Sequence, residues 1–186
     1  MLIEAIVIKA LPTRERDKLV TLYSRELGKI IAVAKGALKA HSVQALQLDP
    51  GNLIHCELVP SRTGLPIITG AQAINCFSRM KSVPCLWAAA QFFLQVVDLI
   101  IFDQEPDQKL WACLDQTLAT LNLAEGDEAL KILRQQQIYL LEVLGYGGTG
   151  LETVHHQPIR TETDDFFERL ANRHLKTLDL FYELAG

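Results

Sequence analysis

An α+β chain, with a small five-stranded β-barrel in front and a bundle of helices behind, is predicted by three observations. Short β-branched runs separated by turn residues fill roughly the first 80 positions. From Ser82 onward the apolar residues recur at helical spacing instead. The charge divides at the same place: residues 1–81 carry 11 Lys and Arg against 6 Asp and Glu, whereas residues 82–186 carry 7 against 16. The organisation read from this is a β domain over residues 1–79 and a helical domain over 80–186.

The strands follow in order. LIEAIVIKA is β-branched and apolar and ends at the Pro12-Thr13 turn. KLVTLYS and KIIAVAK flank Glu26-Leu27-Gly28, a tight hairpin whose loop contains a glycine. NLIHCELV alternates, with Ile54, Cys56 and Leu58 on one face and His55 and Glu57 on the other, the pattern of a half-buried strand. LPIITGAQAI is the fifth, after a turn at residues 61–64. Five short strands with one longer connection, from Ala37 to Pro50, have the count and spacing of an OB-type barrel, although a sandwich fragment or SH3-like barrel reads nearly the same. Gly36 and Gly70 are placed where a strand bends at a barrel corner.

Ser82 with Pro84 just inside marks the first helix. Its run SVPCLWAAAQFFLQVVDLIIF is the one stretch resembling a membrane span, but it contains Gln91, Gln95 and Asp98. A single Asp near a helix centre costs about 2.5–3.5 kcal/mol on insertion. A helix buried inside a bundle is expected, with no membrane partner. A second helix follows Pro106-Asp107 with Leu110, Leu114, Leu118 and Leu121 in register, and a third carries Leu130, Leu133, Leu140, Leu141 and Leu144 as far as Gly145. TGLETVHHQPIRTE reads as a loop. Thr161 and Asp164 form a capping box for a fourth helix running through Phe166, Phe167, Leu170, Leu178 and Phe181.

Composition and motifs narrow the function. The four cysteines (Cys56, Cys76, Cys85, Cys113) are far apart without a C-x-x-C pair, so reduced, buried thiols are expected. MLIEAIVIKALPTRER lacks the basic lead and cleavage site of an export signal, which points to the cytoplasm. Neither a nucleophile elbow, a P-loop nor an H-E-x-x-H helix is present, and GYGGTG at 145–150 follows a helix rather than a strand. Catalysis and a cofactor are therefore not expected. Adjacent His155-His156 point apart in extended chain, so no metal is expected either.

The candidate site is the basic set Arg14, Arg16, Lys18, Arg25, Lys29, Lys35 and Lys39. A groove lined by such groups binds single-stranded nucleic acid by releasing counterions, and OB barrels offer one on the face of strands 2 and 3. Equally, lysines at strand ends and turns serve solubility and block edge pairing. Tyr23 and Phe77 are the aromatics before residue 80, too few for a base-stacking platform, so binding is expected to be directed at phosphates.

The order of segments resembles the bacterial recombination mediator family RecO. AIVIKALPTRERDKLVTLYSRELGKIIAVAKGALK resembles the family's first strand, its E-x-D-x-L-V-T-L stretch, its R-E-x-G-K turn and its V-A-(K/R)-G-A strand end. ALQLDPGNLIHCEL, RTGLPIITGAQAI and LLEVLGYGG are similar to later segments. The resemblance implies an N-terminal OB barrel, a C-terminal helical domain and no active site. It further implies single-stranded DNA as ligand, strand annealing, and contacts with RecR and the single-strand-binding protein in loading RecA. Arg25, Lys29, Lys35 and Lys39 match basic positions of the pattern. The family's four-ligand zinc module has no counterpart, because LETVHHQPIRTET lacks cysteine. Gln135-Gln136-Gln137 stand where the family has Arg-Phe-Glu, with Arg134 one position away. Lys131 and Arg134 beside Leu130 and Leu133 are candidates to dock the acidic, hydrophobic tail of the single-strand-binding protein. The competing expectation is a protein-binding adaptor whose barrel does not bind DNA; one continuous basic face favours DNA, scattered lysines the adaptor.

Overall fold

The computed structural model describes residues 1–13, 16–38, 44–62, 64–147 and 160–185. They form two compact units, Met1–Cys76 with Ile101–Trp111, and Phe77–Ile100 with Ala112–Gly186. In the first unit, β1 (Leu2–Pro12), β2 (Lys18–Ser24), β3 (Gly28–Ala34), β4 (Leu53–Val59) and β5 (Ile67–Asn75) close into a barrel in the order β1-β2-β3-β5-β4. β4 returns to pair with β1. The β3–β5 seam is parallel and short, made by Val33 opposite Ile67 and Ala34 opposite Ile68.

Alternation decides what lies inside. Val20 and Leu22 of β2, Ile30, Ala32 and Ala34 of β3, and Ile54, Cys56 and Leu58 of β4 all point into one core. Burial pushes the Cys56 thiol up to about 11, so it is a packing group rather than a thiolate. Three register shifts bend the sheet, one in β1 between Val7 and Lys9 and two in the β4–β5 ladder, at Leu53/Ile54 and at Glu57/Leu58, where Gly70 faces Glu57. Gly36 is not a corner. It lies past β3 in a left-handed turn (φ 65°), its N–H donating to Asp17 Oδ1 at 2.6 Å. The long connection holds α1 (Gln44–Gln47), whose Gln47 Oε1 accepts from the Ala73 N–H at 2.7 Å, followed by Leu48, buried in the barrel core.

Residues 101–111 form a strap on the outside of the β2–β3 hairpin. Lys29 and Asp103 make a parallel bridge, the Gln104 N–H donates to the Lys29 carbonyl at 2.9 Å, and Lys29 Nζ lies 3.4 Å from Asp103 Oδ1. Tyr23 OH donates to the Asp107 carbonyl at 3.4 Å, and the Tyr23 and Trp111 rings stack with centroids 6.5 Å apart at 20°. Gly28 allows this approach: it sits at φ 68°, and an added Cβ would run into the Glu105 carbonyl and come within 2.8 Å of Pro106 N. The Asp107 carboxylate caps α4 (Gln108–Leu123), accepting from the N–H groups of Lys109 at 2.7 Å and Leu110 at 3.2 Å.

In the second unit, α2 (Ser78–Ser82) leads to α3 (Pro84–Ile100), which packs against α5 (Ala129–Val143), α6 (Glu162–Ala171) and α7 (Lys176–Ala185). α3 buries Leu86, Phe92, Phe93, Val96 and Val97, while Gln91, Gln95 and Asp98 share a partly exposed face, Gln95 Oε1 accepting from Thr177 Oγ1 at 2.6 Å. Phe92 meets Phe167 edge-on at 5.2 Å. Among the described residues no helix is long and apolar enough to cross a membrane. Leu114, Leu118 and Leu121 of α4 are buried as their spacing predicts. The expected fourth helix is two: Asn172 takes a left-handed conformation (φ 46°) that ends α6, a cap asparagine tolerates better than most residues.

The capping box at Thr161 and Asp164 is present, and Asp164 does more than cap. Its fully buried carboxylate accepts from Arg134 Nη1 at 2.9 Å, Gln137 Nε2 at 2.7 Å and Tyr182 OH at 2.7 Å, tying α5, α6 and α7 together. Burial alone would raise its pKa. Hydrogen bonds from Arg134, Tyr182 and Gln137, with the Arg134 charge, instead hold it below the ordinary 3.8.

Gly28→Ala costs about 1–2 kcal/mol from its backbone conformation alone, with the collision against the strap added, and urea denaturation reads the loss. Asp164→Ala leaves Arg134 buried without its counter-ion and costs about 3–5 kcal/mol. Because the folded pKa is depressed, the carboxylate's contribution is complete above the unfolded value and fades as pH falls below it. Thermal melts of the wild type therefore lose stability steeply below about pH 4, and Asp164→Asn flattens that acid limb.

Candidate nucleic-acid interface

The β2–β3 ladder runs from Lys18 opposite Ala34 to Ser24 opposite Gly28. At about 3.3 Å per residue its two ends lie about 20 Å apart, and the predicted cations divide between them. At one end, the Thr13 N–H donates to the Asp17 carbonyl at 2.8 Å and the Leu38 N–H to the Arg16 carbonyl at 2.9 Å, drawing the β1–β2 turn against the exit of β3. This brings exposed Arg16 and Lys35 and half-buried Lys18 to the same end of the barrel. Asp17 adds a carboxylate there, one oxygen of which is taken by the Gly36 N–H. Arg14 and Lys39 lie outside the described residues.

The other end holds Arg25 and Lys29, and they differ. Arg25 is exposed in the turn. Lys29 is 9% exposed and ion-paired with Asp103, so it is not an open cation. The physical reason is the strap, which supplies backbone and carboxylate partners from residues about 75 positions away in sequence. The five of these cations that lie among the described residues therefore do not converge on one spot. Sequence reasoning also missed Lys9. It is exposed, and it sits opposite Thr21, itself opposite Ile31, which places it on the outer β1–β2–β3 face between the two ends. The bulge beside Val7 turns it outward, and nothing in the apolar run LIEAIVIKA marks that bulge.

A cleft of about 670 Å³ opens at the hairpin end of the barrel, lined by Leu27, Ile30, Leu58, Pro66 and Pro106 with Glu26 at its edge. Its lining includes neither a Lys nor an Arg side chain. In the helical unit, Lys131 is exposed and Leu130 half-buried, but Leu133 and Arg134 face inward, Arg134 being committed to Asp164. A surface made by all four is therefore not present: the helical period places Leu133 and Arg134 on the packed side of α5. Of the cysteines, Cys56 and Cys113 are buried, the latter with its thiol also pushed up to about 11 by burial; Cys76 is exposed, against expectation. His155 and His156 lie outside the described residues, among which no cluster of His, Cys, Asp and Glu suits a metal ion.

The family model described as "Recombination protein O N terminal" matches residues 1–77, which hold all five strands. The chain is 31% identical over 143 residues to the DNA repair protein RecO of Geobacter metallireducens, covering 77% of this chain and 57% of that one. It is 32% identical over 142 residues to that of Bacillus pumilus, covering 76% and 54%. It is 29% identical over 147 residues to that of Cutibacterium acnes, covering 78% and 59%. The chain thus spans somewhat more than half the length of these curated relatives. With the matched barrel at its front and the similarity continuing into the helices, the chain belongs to the RecO family.

Proposed function

We propose that this protein acts in DNA repair by binding single-stranded DNA along the outer β1–β2–β3 face of its barrel. The observation that carries the reading is the hydrogen-bonded junction of the β1–β2 turn with the β3 exit, which brings exposed Arg16 and Lys35 together, with half-buried Lys18 at the barrel rim on the side of Val20 and with exposed Lys9 on the outer face toward the hairpin. A flexible strand of phosphates suits such a line, because each lysine or arginine neutralises one phosphate and releases its counterion. Tyr23 is covered by Trp111 and Asp107, so no open ring on β2 or β3 competes for bases, and recognition is tolerant of sequence. Annealing fits the same charges: cations lower the repulsion between two backbones while bases pair.

The role is that of a mediator acting by binding rather than catalysis, working with RecR and the single-strand-binding protein in loading RecA. For the acidic tail of the single-strand-binding protein, exposed Lys131 beside Leu130 is the remaining part of the expected docking set. The alternative adaptor, whose barrel does not touch DNA, is separated from this reading by salt.

Neutralising four phosphates gives a log–log salt slope of about −3 on oligo-dT, at roughly −0.7 per phosphate. Fluorescence anisotropy at several salt concentrations reads it. Lys9→Ala, Lys18→Ala and Lys35→Ala each weaken binding severalfold on every oligonucleotide sequence and each reduce the slope by about 0.7–1. A flat slope, or cation variants that bind like wild type, returns the protein to the adaptor reading.

A further inference from the structure

The outer face of the β2–β3 hairpin carries one aromatic and one cation side by side. Tyr23 and Lys29 are register partners. Both lie outside because their neighbours Leu22 and Ile30 lie inside, so the two side chains stand on the same face with Cβ atoms about 5 Å apart. Such a pair fits one nucleotide, a base on the ring and a phosphate on the ammonium. The strap presents the same two groups in the same places. Trp111 stacks on Tyr23 at 6.5 Å and 20°, where a base would stack. The Asp103 carboxylate stands 3.4 Å from Lys29 Nζ, where a phosphate oxygen would stand.

We propose that Tyr23 and Lys29 form a nucleotide subsite that the chain's own strap, through Trp111 and Asp103, occupies as a nucleotide mimic. The strap is suited to this by composition: within DQEPD, Asp103, Glu105 and Asp107 provide acid at alternate positions, a short line of anions laid on a basic turn. Its anchors are separable. Asp103 is 58% exposed and contributes an ion pair at a partly open site, whereas Trp111 is buried. The charge can therefore be removed without dismantling the packing. The subsite rests on the reading of this face as a single-stranded DNA interface and adds to it a point at which access is limited by the protein itself.

The test measures affinity for labelled oligo-dT at low salt with four versions of the 186-residue protein. Asp103→Ala is expected to bind about fivefold tighter than wild type. Asp127→Ala, which makes the same change in net charge at an exposed position in the helical unit, sets the gain due to overall charge alone. Lys29→Ala combined with Asp103→Ala is expected to lose the gain, because the cation that Asp103 releases is gone. A gain no larger than that of Asp127→Ala, or one that persists without Lys29, overturns the mimic while leaving the interface standing. Strap movement is read independently in Trp87→Phe protein, where Trp111 is the remaining tryptophan. Its emission is expected to shift to the red as oligo-dT saturates the protein, and unchanged emission at saturation also overturns the proposal. Failure of wild type and every variant to bind at low salt removes both the subsite and the interface on which it rests.

Discussion

The two-residue alternation of the β2–β3 hairpin governs everything that follows in the barrel unit. Val20 and Leu22 opposite Ala32 and Ile30 must face the core, since turning them out would expose four apolar side chains and bury Thr21, Tyr23, Lys29 and Ile31 in their place. Burying the ammonium of Lys29 in that apolar interior is the costliest part of the exchange, so the register has one stable solution. With register fixed, Tyr23 and Lys29 are neighbours on the outside, Lys18 and Lys35 are held at the far end, and the hairpin turn must close through Gly28. The strap then has one place to sit, because at Gly28 a second backbone can approach that closely.

Electrostatics divides into groups buried to hold the fold and groups exposed at the surface. Arg134 and Asp164 are 3% and 0% exposed, and removing either leaves a buried charge costing several kcal/mol. Arg160, by contrast, reaches Glu168 at 2.8 Å and Asp179 at 3.0 Å at a partly exposed site, where such pairs are worth about 0–1 kcal/mol each. Lys29 is intermediate: its own side chain is covered, its partner is half open. That difference explains why net charge is a poor guide here. A chain at −4 still carries Arg16, Lys35 and Lys9 exposed on the barrel.

What the sequence made legible was local in origin. The alternation in NLIHCELV, the leucine spacing of α4 and the Thr161–Asp164 box each signal their structure within a few residues, and each is found as expected. What it hid was set by distant partners. Pro106-Asp107 signals the start of the second helix, but the seating of the segment before it on the hairpin depends on contacts such as Tyr23 with Asp107, 84 residues apart. Lys29 looked like the other cations because its neutralising carboxylate comes from that segment. Arg134 looked like a surface group because its partner follows 30 residues later. Asn172 broke a helix without a glycine or proline to announce it. Gly28 was the available clue: a glycine already needed for the turn was also clearing room for a second chain segment.

If the barrel face binds DNA as proposed, the strap and an incoming strand compete on closely matched terms. A segment tethered at both ends acts at an effective concentration in the millimolar range, so a free nucleotide at micromolar concentration cannot dislodge it. A strand already held by Arg16, Lys18 and Lys35 is in a different position, for it is itself tethered about 20 Å from Lys29 and meets the hairpin intramolecularly. The exchange of Asp103 for a phosphate, and of Trp111 for a base, then trades like for like with little net change in contacts. On the proposed reading, a balance of that kind favours long strands over short ones without any gain in chemical specificity.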